Sequence, residues 1–359
     1  MDLLTSVGFV PKRVLIAPLN WGLGHASRSA DVIMSIQASH PETEIVLASD
    51  DAAAKWLRLQ FPTLKLYELP GYEVHYGKGK SVMPAMLLSA PRILRGIYRE
   101  HRILQRLIPQ EEIDLVISDC RFGLWSKLCT TVFITHQLEL QPPGGKHSLA
   151  SRIANYINRF FIKRFHHCWV PDLAEQPGLA GALSHPGTLP HNCRYIGPLS
   201  RFKWIGASTN QHLDEGLQLL CIVSGPEPQR AMFLQLLLEQ LEHLPVPTTV
   251  VAGTPGTSTC KQAPPHVKLM PHLPDEALWH AIQHARLVIS RPGYSTIMDL
   301  WYAGGKMAFV PTPGQTEQEY LALLLEQQGI AGYAEQADLN LKALIEQSDR
   351  YSGFNGCHT

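Results

Sequence analysis

Short apolar runs alternate with longer segments in which apolar residues return every three or four positions, and this alternation continues along the chain. Brief runs bounded by turn residues read as strands buried on both faces, and the 3.6-residue period reads as helix. In the first half the pattern predicts strands at 13–18, 44–49, 64–69, 113–118, 131–135 and 168–170, with helices at 25–38, 51–60, 83–107 and 149–164. It restarts in the second half: strand 219–223, helix 229–241, strands 248–251 and 267–269, helix 274–283, strand 287–290, helix 295–303, strand 307–310 and helix 317–328. Strand followed by helix, repeated, implies parallel sheets covered by helices. A turn-rich stretch, Gly197-Pro198-Leu199-Ser200, and the polar residues up to Glu215 separate the halves. The expected architecture is therefore α/β, with two Rossmann-like domains, 1–197 and 198–359, facing a cleft.

The richest segment is Ser290-Arg291-Pro292-Gly293-Tyr294-Ser295-Thr296, which leaves one strand and opens a helix. Such a turn presents free N–H groups and hydroxyls at a helix N-terminus, a ready phosphate site. Asp299 follows inside that helix, where a carboxylate reaches a ribose hydroxyl. Ser224-Gly225 makes a similar turn after the first strand of the second half, and Arg230 adds positive charge. Gln318 and Glu319 open a further helix and carry groups suited to sugar hydroxyls.

In the first half, Gly22-Leu23-Gly24-His25 joins strand to helix. His25 at the helix start is disfavoured as a cation by the dipole, which suits a general base. Asp119 ends another strand and is placed to orient it. His136 and Gln137 end the next strand as candidate contacts to phosphate or acceptor. Asp50 and Asp51 read as a helix N-cap, so the acidic residue of a dinucleotide fingerprint is missing and a nicotinamide cofactor is not expected.

Composition narrows the classes. Zero net charge over 359 residues argues against a nucleic-acid binder that works through a global basic field. Seven cysteines without a CxxC pair read as free thiols, and no ligand spacing suggests zinc. The N-terminus carries no signal pattern, and no apolar run reaches about 18 residues, so a cytoplasmic, non-spanning protein is expected. Two segments, 84–108 and 151–167, mix arginines with large apolar residues, the pattern either of core-facing helices with solvated arginines or of helices lying on anionic membrane.

These residues resemble the GT-B glycosyltransferases of the family 28 type, in the branch of the lipid II-forming N-acetylglucosaminyltransferase, over 13–345. The Ser290–Thr296 turn looks like that family's Ser-Arg-x-Gly-Ala-x-Thr turn. Asp299 falls where the family has a ribose-binding glutamate, and Gln318-Glu319 on its Gln-Gln pair for the donor sugar. Gly22–His25 resembles the first glycine-rich loop with its candidate base, Ser224-Gly225 the second-domain phosphate loop, and His136-Gln137 the His-Glu-Gln segment. Departures are the shorter Asp299, Glu319 in place of glutamine, and Pro226-Glu227-Pro228 in the phosphate loop. The resemblance implies an inverting transferase that moves a sugar from a nucleotide-diphosphate sugar, a UDP-sugar in the family manner, to an acceptor hydroxyl, a lipid-linked one included. No resident cofactor and no metal are expected, since Asp-x-Asp is lacking. Two other readings stay open: a nucleotide-sugar 2-epimerase on the same scaffold, and a non-catalytic binding subunit recruited to the inner face of the membrane.

Overall fold

The computed structural model describes residues 2–20, 23–71, 82–140, 149–205, 216–254 and 262–355. The chain divides into two units, Met1–Leu199 and Ser200–Thr359. The division falls at Ser200 because its hydroxyl donates to Asp299 at 2.6 Å and accepts from Phe202 N at 3.2 Å, both within the second unit.

The first unit runs β1 (Arg13–Pro18), α1 (Gly24–Ser39), β2 (Glu44–Ser49), α2 (Asp51–Gln60), β3 (Lys65–Glu68), α3 (Val82–Glu111), β4 (Leu115–Asp119), β5 (Thr130–Ile134), α4 (Leu149–Ile162), β6 (His167–Val170) and β7 (Cys193–Tyr195). The strands form one parallel sheet in the order β3-β2-β1-β4-β5-β6-β7. In β1 both alternating sets, Val14 and Ile16 against Leu15 and Ala17, are fully buried, as a strand covered by helices on both faces requires. Leu104, Leu107 and Ile108 of α3 pack on Leu15, Val46 and Val116 to form one core face. Each such side chain contributes roughly 1.5–3 kcal/mol by leaving water.

The second unit runs β8 (Leu219–Ile222), α5 (Gln229–Glu242), β9 (Thr248–Val251), β10 (Val267–Met270), α6 (Asp275–His284), β11 (Leu287–Ser290), α7 (Tyr294–Ala303), β12 (Met307–Phe309), α8 (Thr316–Gln327), β13 (Gly332–Tyr333) and α9 (Leu341–Gln347). Its parallel sheet has the order β10-β9-β8-β11-β12-β13, the same layout as the first six strands of the other unit. Phe233, Leu237 and Leu241 of α5 and Leu341, Leu344 and Ile345 of α9 share a core with Cys221, Val250 and Ile289.

Four elements and one helix cap depart from the sequence expectation. The short strands β7 and β13 and the helix α9 were not anticipated. Asp50 holds the N-cap position of α2, but its side chain makes no capping bond; it accepts instead from Gly71 N at 2.6 Å. Helix α4 is turned inside out relative to a globular amphipathic helix. Its inward residues include polar Ser151 and Asn158, while Leu149, Ile153, Tyr156, Ile157 and Phe160 stand 47–74% exposed. The inward polarity has partners: Asn155 accepts from Leu140 N at 2.7 Å, and Asn158 donates to Gln137 O at 2.7 Å. Among the described residues, no helix is long and apolar enough to cross a membrane.

Candidate active site

In each sheet the strand order reverses direction once, between β1 and β4 and between β8 and β11. Open α/β sheets bind ligands at the carboxyl ends of the strands at that point. In the first unit Pro18 and Asp119, the last residues of β1 and β4, lie opposite each other in register. Leu19 N donates to Asp119 O at 3.0 Å, which fixes the backbone there.

His25 stands in the first turn of α1, and its Nδ1 lies 3.1 Å from Asp119 Oδ1. Arg28, one turn further along α1, donates from Nε to Asp119 Oδ2 at 2.7 Å and from Nη2 to Oδ1. The same Nη2 is 3.0 Å from His25 Nδ1 and donates to Cys120 Sγ at 3.4 Å. Asp119 is fully buried and Arg28 is 2% exposed, whereas the His25 side chain keeps 19% exposure. Among the described residues His25 Nε2 has no hydrogen-bond partner.

Burial would raise the Asp119 carboxyl, but the charges and hydrogen bonds of Arg28 and His25 reverse this and hold it well below the usual range. Burial pushes the His25 imidazole below its ordinary value, and the Arg28 and His136 charges push the same way against Asp119. Burial pushes the Cys120 thiol up to about 12. His25, Asp119 and Cys120 bring donor atoms within 4.8 Å of one another. The Arg28 guanidinium, however, lies against all three, and a cation would have to displace it.

His136 follows β5 and is 5% exposed; its influence on His25 places it in the same cluster. The Gln137 backbone is held by Thr135 Oγ1 at 3.0 Å and by Asn158. Gly24 opens α1, and Gly22 lies outside the described residues. Arg121 braces the region from below. Fully buried, it donates to Glu100 at 2.7 Å and to the carbonyls of Pro18, Leu69 and Pro70 at 3.1, 2.7 and 3.0 Å. Those carbonyls sit at the ends of β1 and β3.

In the second unit, Gly293 precedes α7 and no side chain caps that helix. The first-turn residues Ser295 and Thr296 are part-exposed and Tyr294 is buried. Ser224 and Gly225 leave β8, which pairs with β11 through Ile222 opposite Ser290; Gly225 has φ +108°, a backbone that favours glycine. Both expected phosphate turns therefore meet at one switch point.

Five expected contacts already make bonds within the second unit. Arg291 is 1% exposed, donates to Val310 O and Pro311 O at 2.8 Å each and to Gln336 at 2.5 Å, and lies over the Phe233 ring. Burial lowers its guanidinium to about 9, which leaves it charged near neutrality. Arg230 pairs with Glu227 and donates to Ala252 O at 2.7 Å. Asp299 is 8% exposed, accepts from Ser200, and lies 3.4 Å from Arg201 Nε. Gln318 and Glu319 accept from Thr312 N and Gly314 N at 2.8 Å each, holding the loop before α8. Gln318 and Glu319 serve N–H groups of the turn before α8, whose backbone needs partners, while Asp299 and Arg230 stand within α7 and α5 and meet the side chains of Ser200, Arg201 and Glu227.

Sequence reading missed Arg28, Arg121 and Glu100. The His25-x-x-Arg28 spacing, which puts both on one helix face, was the available signal for the first.

Residues 265–352 match the model described as glycosyltransferase family 28 C-terminal domain. Several solved structures are similar over nearly the whole chain. The MurG of Acinetobacter baumannii is 16% identical with TM-score 0.54, covering 94% of this chain and 89% of its own. The calicheamicin glycosyltransferase CalG4 is 13% identical with TM-score 0.65, covering 96% and 91%. The Arabidopsis thaliana UGT89C1, complexed with UDP-L-rhamnose, is 12% identical with TM-score 0.62, covering 94% and 89%. No curated protein matches the chain. At these identities the likenesses show the fold, two Rossmann-like units of the GT-B type.

Proposed function

We propose that this chain is a glycosyltransferase, inverting and metal-independent, that uses a nucleoside-diphosphate sugar, a UDP-sugar by preference; the match of residues 265–352 to the family 28 C-terminal domain and the GT-B fold support this reading. The second unit holds the donor and the first unit the acceptor. The observation that carries this reading is His25 Nδ1 at 3.1 Å from Asp119 Oδ1, with Nε2 left to receive a proton. In the reaction the acceptor O–H proton passes to His25 Nε2 as that oxygen bonds to the anomeric carbon. The bond from that carbon to the diphosphate breaks, and its electron pair leaves with the diphosphate. One displacement inverts the configuration. The backbone N–H groups at the start of α7 and the Ser224-Gly225 turn stabilise the departing charge, the task a metal would otherwise perform.

The base and the independence from metal are tested first by calorimetry with UDP, GDP, dTDP and ADP, with and without magnesium. Selective, magnesium-independent binding of UDP supports the reading, and binding of none of the four overturns it. His25→Ala should keep UDP affinity and lower turnover by about 10²–10⁴-fold, the usual worth of a general base; equal turnover sinks the role.

The outward face of α4 supports an acceptor at a membrane surface. Its five exposed apolar side chains are flanked by exposed Arg152, Arg159 and Lys163, the combination that seats a helix in an anionic interface. The protein then works at the inner face of a membrane, on a lipid-linked acceptor. Sedimentation with phosphatidylglycerol vesicles should exceed that with phosphatidylcholine and fall in Ile153→Glu/Ile157→Glu. Binding that ignores both changes refutes this part alone.

A further inference from the structure

We propose that Arg28 is a positioning residue: by gripping both oxygens of Asp119 it obliges His25 to donate from Nδ1, and so presents Nε2 as the proton acceptor. The proposal rests on the reading of His25 as base.

The argument is one of hydrogen counting. His25 Nδ1 has two neighbours at similar range, Asp119 Oδ1 at 3.1 Å and Arg28 Nη2 at 3.0 Å. If Nδ1 accepted from Arg28, the proton of a neutral imidazole would sit on Nε2 and no base would face the acceptor. Arg28 Nη2 carries two hydrogens. One goes to Asp119 Oδ1 and the other points to Cys120 Sγ at 3.4 Å. With the proton on Nδ1 three contacts are made, Nη2 to Oδ1, Nη2 to Sγ and Nδ1 to Oδ1; with Nδ1 as acceptor at 3.0 Å from Nη2, the Sγ contact and the Nδ1–Oδ1 contact are both given up. Oδ1 has lone pairs for both Nη2 and Nδ1, while Oδ2 is taken by Arg28 Nε at 2.7 Å. The carboxylate is held at both oxygens, and the count of bonds favours the Nδ1–H tautomer.

Charge follows the same geometry. The groups facing His25 are Arg28 from its own helix, Asp119 at the end of β4 with Cys120 after it, and His136 after β5. The Cys120 sulfur stays a thiol through burial. Arg28 and Asp119 cancel, so the imidazole sees no uncompensated anion. A lone buried carboxylate at 3.1 Å would instead keep His25 protonated and idle near neutrality. Arg28 lets Asp119 orient the ring without holding the proton there.

The test uses the full chain with ¹⁵N-labelled histidine, the His25 signals being assigned by their loss in His25→Gln. The wild type should show a single Nδ1–H tautomer and a low titration midpoint. Arg28→Met should raise that midpoint by about one unit or more, the scale of one close charge. It should also move the acid limb of UDP release from UDP-N-acetylglucosamine, with water as acceptor, in the same direction. Arg28→Lys keeps the charge but not the two-point grip. It should leave the midpoint near wild type, mix the tautomers, and lower kcat with KM little changed. An unchanged tautomer and midpoint in folded Arg28→Met overturns the proposal. Should that variant not fold, Arg28→Lys with a single Nδ1–H tautomer and full kcat overturns it equally. Failure of the base reading looks different: the tautomer would still follow Arg28, but His25→Gln would remain active.

Discussion

Replacing Glu100 by glutamine tests whether the ligand-facing edge of the first sheet depends on one buried cation. Glu100 and Arg121 are both fully buried, with Nε and Oε1 2.7 Å apart. Glu100 Oε2 also accepts from Gly123 N at 3.2 Å. Glutamine keeps the volume but removes the charge that balances Arg121. Breaking one side of a buried pair costs about 3–5 kcal/mol, because the other charge stays behind without its partner. Arg121 retains three carbonyls and has Asp50 at 3.8 Å, so the lower end, about 3 kcal/mol, is expected. In a unit of this size each kcal/mol is worth about 2–4 °C, which gives a fall of roughly 6–12 °C. Scanning calorimetry of the full chain measures it. Lys306→Met serves as control, since it breaks an exposed pair with Asp349 at 2.7 Å and should cost no more than about 1 kcal/mol. A Glu100→Gln transition within about 2 °C of wild type would refute the clamp, because then the carbonyls alone would hold Arg121.

Three further outcomes follow from the site. Asp299→Ala should weaken UDP binding by about tenfold or more if the carboxylate reaches ribose, the loss of a charged hydrogen bond, while Ser200→Ala should not; equal UDP affinities in both variants, by calorimetry, would leave Asp299 as an internal brace only. His25 is lowered from 6.5 chiefly by burial, so the base form persists on the acid side and kcat/KM should fall only as pH drops below that value. The folded state then binds this proton more weakly than the unfolded chain, so its share of stability is complete above 6.5 and is lost as pH falls through the window beneath it; an acid limb above pH 7 contradicts the assignment. Cys120, pushed up to about 12 by burial, should resist iodoacetamide at pH 7.5 while the fold is intact, and mass spectrometry showing rapid native alkylation there would count against the buried cluster.

The alternation of apolar runs made most of the fold legible, because strands covered on both faces have to be continuous in apolar residues, as Val14–Ala17 and Leu287–Ile289 are. It failed where an element has few residues to carry a period: β7 is Cys193-Arg194-Tyr195 and β13 only Gly332-Tyr333. The site was legible in its turns and in His25 and Asp119, since glycines and strand ends mark them. The arginines were not. Arg28 and Arg121 carry no mark in the sequence and Arg291 reads there as part of the nucleotide-sugar turn; only folding shows that each is buried against partners 91, 103 and 45 residues away. Helix α4 shows the converse. Its period predicted an apolar face correctly, but not that the polar side would turn inward to serve the backbone at Leu140 and Gln137.

The strand order also sets a timetable for synthesis. The central strand β1 acquires β2 early, yet its other neighbour, β4, lies about a hundred residues later in the chain, a separation that makes pairing slow. At ordinary translation rates of about 5–20 residues per second, one flank of β1 stays open for roughly 5–20 s. During that interval Val14, Leu15 and Ile16 are the hazard. Recombinant yield should therefore respond to slower growth temperature and to chaperone supply, through the nascent chain and not through the finished enzyme.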